Sequence, residues 1–98
     1  MVVSLSACSK IKRDFFLYQA TKAHDEGHYK DAIAKYKKVL EINPRDETVV
    51  YNLGAAYVAD KQLDNARRQA EKLRKLEHND FADLLQEIID KAADRAGE

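Results

Sequence analysis

The feature that most constrains this chain is a self-similarity at a period of 34 residues. At that offset apolar, small and charged residues fall on residues of the same kind: Tyr29 and Leu63, Ala32 and Ala66, Val39 and Leu73, Lys38 and Lys72, Asp46 and Asp80. A fixed period of this size is typical of stacked helix–turn–helix units, in which each unit covers the apolar face of its neighbour. The period therefore predicts a repeat array.

Within each 34-residue unit the spacing of apolar residues predicts helices and gives no strand signal. The clearest case is residues 29–43, where apolar side chains recur at spacings of three and four: Tyr29, Ala32, Ile33, Tyr36, Val39, Leu40 and Ile42. Three Gly and one Pro in 98 residues agree with helices joined by short turns. Five helices are predicted, at residues 14–27, 29–43, 47–60, 63–77 and 81–95.

Turn residues mark the ends of these helices. Gly27 suits the left-handed conformation that closes a helix, and the Asn-Pro pair at 43–44 stops the next one. Asp46 is predicted to cap the third helix. The Asn-Asp pair at 79–80 is predicted to cap the fifth helix, with Asp83 in its first turn.

On these residues the chain resembles the tetratricopeptide repeat family. The first unit matches the family at Phe16, Ala20, Gly27, Tyr29, Ala32, Tyr36 and Pro44, and the second at Leu53, Gly54, Tyr57, Leu63, Ala66 and Leu73. The resemblance covers about residues 13–80; Ala70 and His78 depart from the pattern. It implies an all-α, right-handed superhelical solenoid of two helix–turn–helix repeats and a C-terminal capping helix.

The expected organisation has four segments, which are an N-terminal tether (1–13), a first repeat (14–46), a second repeat (47–80) and a capping helix (81–98). Small residues are expected where helices meet closely. The resemblance places Ala20 and Gly54 where the two helices of one unit cross, and Ala32 and Ala66 where the second helix of a unit meets the first.

The resemblance also implies a groove, lined by the first helix of each unit, that holds a segment of a partner protein. Its positions are Asp14, Leu17, Tyr18, Thr21, His24 and Asp25, then Thr48, Tyr51, Asn52, Ala55, Val58 and Ala59, with Leu85, Gln86 and Ile89 from the cap. Val58 and Ile89 are equally expected to pack against neighbouring helices. Apolar Leu17, Tyr51, Ala55 and Val58 favour an apolar or amphipathic ligand.

A well-known subclass of the family grips a C-terminal carboxylate with two Lys, two Asn and an Arg. The corresponding residues here are Leu17, Thr21, Asn52, Ala82 and Gln86, of which only Asn52 matches. Without a cation at these positions, such a carboxylate clamp is not expected.

The function that follows is a protein-interaction scaffold or adaptor, a monomer or weak homo-oligomer without cofactor, metal or catalytic residues. The alternative is a structural subunit that self-associates or decorates a larger assembly. Nucleic-acid binding is not expected, because 17 basic and 17 acidic side chains leave a net charge of zero. His24 and His28 have the spacing of a helical zinc pair, but Gly27 between them breaks the helix, so they are expected to flank a turn.

The N-terminal segment Leu5-Ser6-Ala7-Cys8 resembles a bacterial lipobox, in which the cysteine becomes lipidated. The resemblance implies an envelope protein of the outer membrane or the periplasm, anchored through Cys8 as a lipoprotein. Ser9 rather than Asp after the cysteine suggests the outer membrane. Secretion, pilus or envelope assembly would then be its setting. Only Met1, Val2 and Val3 stand where a signal peptide needs a longer apolar stretch. The alternative is therefore a frayed N-terminus with a free thiol, in a cytoplasmic protein.

Overall fold

The computed structural model describes residues 5–97, which form five helices and, within that range, no strand. These helices are α1 (Leu5–Asp25), α2 (Tyr29–Ile42), α3 (Glu47–Ala59), α4 (Leu63–Lys75) and α5 (Asn79–Ala96). Each helix packs against the next along the chain, and α3 also packs against α5. The all-α repeat array predicted from the sequence is confirmed.

Helix α1 begins nine residues before the predicted start at residue 14. Residues 5–13, assigned to a tether from the sequence, are its first turns. No Gly or Pro interrupts residues 5–25, so nothing in that stretch stops a helix from extending. Arg13 also holds this end of α1 to the rest of the fold, because its guanidinium donates to the carboxylate of Asp46.

The two units reverse the chain in the same way between their helices. At the end of α1, His28 N donates to Ala23 O at 2.8 Å around Gly27, whose φ is +81°. At the end of α3, Gln62 N donates to Tyr57 O at 2.8 Å around Lys61, whose φ is +63°. The predicted role of Gly27 is thus confirmed, while in the second unit a lysine adopts the left-handed conformation that glycine usually supplies.

The turns between units differ from each other. Before α3, the side chain of Asp46 accepts a hydrogen bond from Val49 N at 3.3 Å, which confirms the predicted cap. Before α5, His78 occupies the cap position without a side-chain cap bond, so the predicted cap at 79–80 is wrong. Instead, His78 N donates to Leu73 O at 2.8 Å around Glu77, a second non-glycine residue with a positive φ, of +65°.

This tighter turn moves α5 by two residues relative to the sequence period. The first residues of α3 and α5, Glu47 and Asn79, are 32 residues apart rather than 34. Pro44 enforces an extended step in the first inter-unit turn, and His78 at the matching sequence position does not. The repeat seen in the sequence therefore loses its register at the α4–α5 turn.

The buried residues follow the structural offset of 32. At that spacing the core residues of α3 match residues packed into the core from α5: Val49 with Phe81, Val50 with Ala82, Leu53 with Leu85, and Tyr57 with Ile89. Helix α5 therefore buries the same side as α3 and extends one continuous core. From the other helices this core receives chiefly Ala20, Ala23, Ala32, Ile33, Tyr36, Val39, Ala66, Ala70 and Leu73.

Gly54 marks the closest approach between α3 and α5. A Cβ added to it would lie 2.9 Å from Cδ1 of Leu85 and closer still to Cδ2. The prediction placed Gly54 where α3 crosses the second helix of its own unit, whereas the side chain nearest to it is Leu85 of α5.

Candidate functional site

The first helices of the successive units, α1, α3 and α5, each carry a row of side chains on the side away from the core. On α3 the row is Thr48, Asn52, Ala55 and Ala59, spaced as one helical face, with Thr48 exposed and the others half-buried. The matching row on α1 is Asp14, Tyr18, Thr21 and Asp25. At the offset of 32, the row on α5 is Asp80, Leu84, Glu87 and Lys91.

We call these twelve residues the groove face, because equal positions of stacked units lie on one surface of an array. Two contacts hold its neighbouring rows together. The rings of Tyr51 and Phe81 lie 5.6 Å apart, and Leu85 lies over Gly54. These contacts place the row of α5 beside that of α3.

Several residues predicted for the groove are engaged by the fold itself. Leu17, Tyr51 and Val58 are half-buried and packed against the core. The ring of His24 lies edge-on to two rings of α2, at 5.5 Å from Tyr29 and 6.3 Å from Tyr36. These four side chains thus support the rows of the groove face rather than lie fully open on it.

Other predicted positions do lie on the groove face. Tyr18 is 64% exposed and Thr48 is exposed, with Asn52 and Ala55 half-buried between them and α5. Thr21 belongs to the same face, but its hydroxyl donates to Leu17 O at 3.0 Å and so is already hydrogen-bonded. Asp14, Asp25 and Ala59 are the remaining predicted positions in the rows of α1 and α3; the two aspartates are exposed and Ala59 is half-buried.

The contribution predicted for α5 changes with the register. Leu85 and Ile89 are wholly buried, so the assignment of Leu85 to the groove is wrong, and Ile89 follows the alternative expectation that it packs against neighbouring helices. Gln86 takes the position of Gly54 at the offset of 32, is half-buried, and donates to Asp90 at 2.9 Å. The two-residue difference turns these side chains toward α3 and α4, and it brings others onto the groove face in their place.

Sequence reasoning missed Asp80, Leu84, Glu87 and Lys91, all of which are exposed. Leu84 is 50% exposed, which is high for a leucine in a capping helix that otherwise buries its apolar side chains. The replacement of Pro44 by His78 at the matching position was the one signal that the last turn could be shorter.

The groove face carries more acidic than basic residues. Asp14 and Asp25 lie on α1, Asp80 and Glu87 lie on α5, and the row of α3 is uncharged. Lys91 is the single cation among the twelve residues, and it pairs with Glu87 at 3.1 Å. Asp14 likewise pairs with Arg13 at 3.1 Å, so the excess negative charge beside the uncharged row of α3 rests on Asp25 and Asp80.

Two other surface features lie apart from the groove face. Ile11 and Phe15 are exposed on α1, and Phe15 holds the position that the buried Val49 has in the second unit. A cleft of about 620 Å³ opens between the α3–α4 turn and the last turn of α5; its lining is Val58, Ala59, Lys61, Leu63, Asp64, Arg67, Ala92, Arg95 and Ala96.

The ionisable groups with shifted pKa values serve the fold. The pKa of Asp60 is lowered, chiefly by the hydrogen bond from Lys30 at 2.7 Å, which ties α2 to the α3–α4 turn. Burial raises the pKa of Tyr36 to about 12. The pKa of Arg13 is raised, chiefly by its hydrogen bond to Asp46. Each shift has a structural cause and needs no catalytic one.

Within residues 5–97 no three His, Cys, Asp or Glu side chains gather as a metal site. His24 lies at the end of α1 and His28 at the start of α2, on either side of the turn at Gly27. No helix in the same range is long and apolar enough to cross a membrane. Cys8 is exposed on α1, and residues 1–4 lie outside the described residues.

Comparison with known protein families gives a match. A family model described as tetratricopeptide repeat matches residues 23–88, which is more than half of the chain and includes α2, α3 and α4 entirely. Neither the curated proteins nor the solved structures gave a match.

Proposed function

Because the chain belongs to the tetratricopeptide repeat family, whose repeats generally mediate contacts between proteins, we propose that it is a scaffold or adaptor that holds a segment of a partner protein on the groove face. The family is generally non-enzymatic. The ligand would be a peptide or a helix that lies across α1, α3 and α5.

The observation that carries this proposal is the exposure of two large apolar side chains at equal positions of the first and last rows. Tyr18 and Leu84 are 64% and 50% exposed on the groove face. Between them α3 presents only the smaller side chains of Asn52 and Ala55. An array with large side chains at the edges and small ones between them can receive an apolar side chain of a ligand.

The test compares two alanine-to-arginine variants in affinity capture from a lysate of the source cell. Ala55→Arg places a long cation in the centre of the groove face, and Ala34→Arg places the same side chain on the exposed side of α2. We expect Ala55→Arg to weaken binding of the captured partner by about tenfold or more, since a loss of about 1.4 kcal/mol has that effect.

The control requires that Ala34→Arg binds like the native protein and that both variants keep the native circular dichroism spectrum. Equal binding by all three proteins would remove the groove face from the proposal. Loss of binding in Ala34→Arg alone would move the working surface to the second helices, α2 and α4.

We also propose that the chain is anchored to a bacterial envelope through Cys8 and serves secretion, pilus or envelope assembly there. The support is the lipobox resemblance of residues 5–8 and the exposure of Cys8. Labelling of the source cells with an azido fatty acid should mark the tagged native protein and leave Cys8→Ser unmarked. An unlabelled native protein in the soluble fraction would favour the cytoplasmic alternative.

A further inference from the structure

We propose that the segment held on the groove face is basic and amphipathic, with Lys or Arg side chains on either side of an apolar residue. This inference rests on the proposed function, since it concerns the same surface and adds the chemistry of the partner.

The first step is the register of α5. With the sequence period of 34, its row would be Ala82, Gln86, Ile89 and Ala93, which are buried or half-buried. With the structural offset of 32, the row is Asp80, Leu84, Glu87 and Lys91, which are all exposed. The tight turn at Glu77 therefore replaces an uncharged row with one that carries two carboxylates, a lysine and a leucine.

The second step is the apolar part of the surface. Tyr18 and Leu84 stand at equal positions on the two outer rows, with Asn52 between them. Ala55, one turn further along α3, leaves space beside that line. Exposed apolar side chains that share a surface mark contact surfaces, whereas single ones are ordinary. Tyr18 and Leu84 belong to the same face, on the two helices that flank α3. An apolar side chain of the ligand fits between them.

The third step is the charge that surrounds this apolar line. Asp14 and Asp25 lie at the two ends of the α1 row, and Asp80 and Glu87 lie on α5. A ligand lying across α3 thus has carboxylates on both sides. Glu87 pairs with Lys91 and Asp14 pairs with Arg13, so Asp25 and Asp80 supply the excess negative charge of the face. Charge complementarity of this kind selects the partner and its rate of association more than it adds affinity. It excludes an acidic segment by repulsion.

The experiment uses two fluorescein-labelled peptides of twelve residues that have leucine at the same positions. One peptide carries lysine at its charged positions, and the other carries glutamate at those positions. Binding to the full chain is followed by fluorescence anisotropy. We expect the lysine peptide to bind more tightly than the glutamate peptide by about tenfold or more, and its affinity to fall as sodium chloride is raised, because exposed charges are screened.

Two triple variants with the same net charge separate the site from a general charge effect. Asp14→Asn, Asp80→Asn, Glu87→Gln neutralises the groove face, and Asp31→Asn, Glu41→Gln, Glu71→Gln neutralises exposed acids of α2 and α4. We expect the first to weaken the lysine peptide by about tenfold and the second by less than about twofold, because only the first removes charges near the bound ligand. A variant with Leu84→Ser should also bind less tightly.

Three results would overturn the inference: tighter binding of the glutamate peptide, no binding of either peptide, or equal effects of the two triple variants. The proposed function is judged separately by the captured partner. If Ala55→Arg weakens binding of that partner but the lysine peptide does not bind, the groove face remains the binding surface. Only the proposed basic character of its ligand is then wrong. If the partner does not depend on Ala55, the proposed function itself fails.

Discussion

Gly54→Ala is expected to destabilise the fold by about 1–3 kcal/mol, although alanine is the better helix former. The added Cβ would lie 2.9 Å from Cδ1 of Leu85, and Leu85 is fully buried, so its side chain has no solvent-filled space into which it can turn. The gain in helix propensity, about 1 kcal/mol, is smaller than the expected cost of overpacking. Urea unfolding followed by circular dichroism measures the difference.

A double-mutant cycle with Leu85→Ala identifies the cause. Leu85→Ala alone should cost about 2–5 kcal/mol, because it leaves a cavity between α3 and α5. In that background Gly54→Ala should be neutral or stabilising, since the clashing atoms are gone; this gives a coupling energy of about 1 kcal/mol or more. A stabilising Gly54→Ala in the native background would contradict the close approach of the two helices. Ala34→Gly, at an exposed helical site, calibrates the propensity term.

Asp46→Ala has the second large expected effect, a loss of about 2–3 kcal/mol of stability. Two interactions end together in this variant: the cap bond from Val49 N at 3.3 Å and the ion pair with Arg13. The side chain of Asp46 is only 10% exposed, so this pair is less screened by solvent than a surface pair. Without it, the long helix α1 loses its tie to the start of α3.

The two contributions are separated by Asp46→Asn, which retains a side chain able to cap α3 but removes the charge. Asp46→Asn should lower the free energy of unfolding by about 1 kcal/mol or less. Raising the salt concentration should reduce the difference in stability between this variant and the native protein. Unfolding midpoints in urea at low and high salt are the measurement. If asparagine proves as harmful as alanine, the cap at Asp46 contributes little and the account of this turn is wrong.

The helices of the two units could be predicted from the sequence because apolar spacing and turn residues agree there. The observed α2, α3 and α4 differ from the predicted ranges by no more than two residues at either end. The start of α1 could not be predicted in the same way. Residues 5–13 carry no helix breaker, and the contact that secures them, Arg13 with Asp46, joins residues far apart in sequence.

The register of α5 was beyond sequence reasoning for a specific physical reason. The turn before it depends on Glu77 in a left-handed backbone conformation, with a φ of +65°. Residues other than glycine and asparagine seldom adopt this conformation. A glycine at this position would have indicated the turn in the sequence, as Gly27 does for the turn after α1. The two-residue difference then changed which side chains of α5 reach the groove face, so an error in one turn became an error in the site.

The apolar residues of the predicted groove show a related difficulty. Leu17, Tyr51 and Val58 sit on the correct helices, but they are half-buried and packed against the core. Helical periodicity reports which side a residue faces, and it does not report how closely the neighbouring unit approaches. The more polar and acidic character of the exposed surface appears only when those contacts are known.

The most direct test of the central claim is an amide chemical-shift map of the labelled domain with the binding segment of its captured partner. If the groove face is the working surface, the largest changes will occur at Tyr18, Asn52, Ala55 and Leu84, which lie on three different helices. Changes confined to Ala34, Lys38 and Glu71, on the exposed sides of α2 and α4, would contradict the claim and assign binding to the opposite surface.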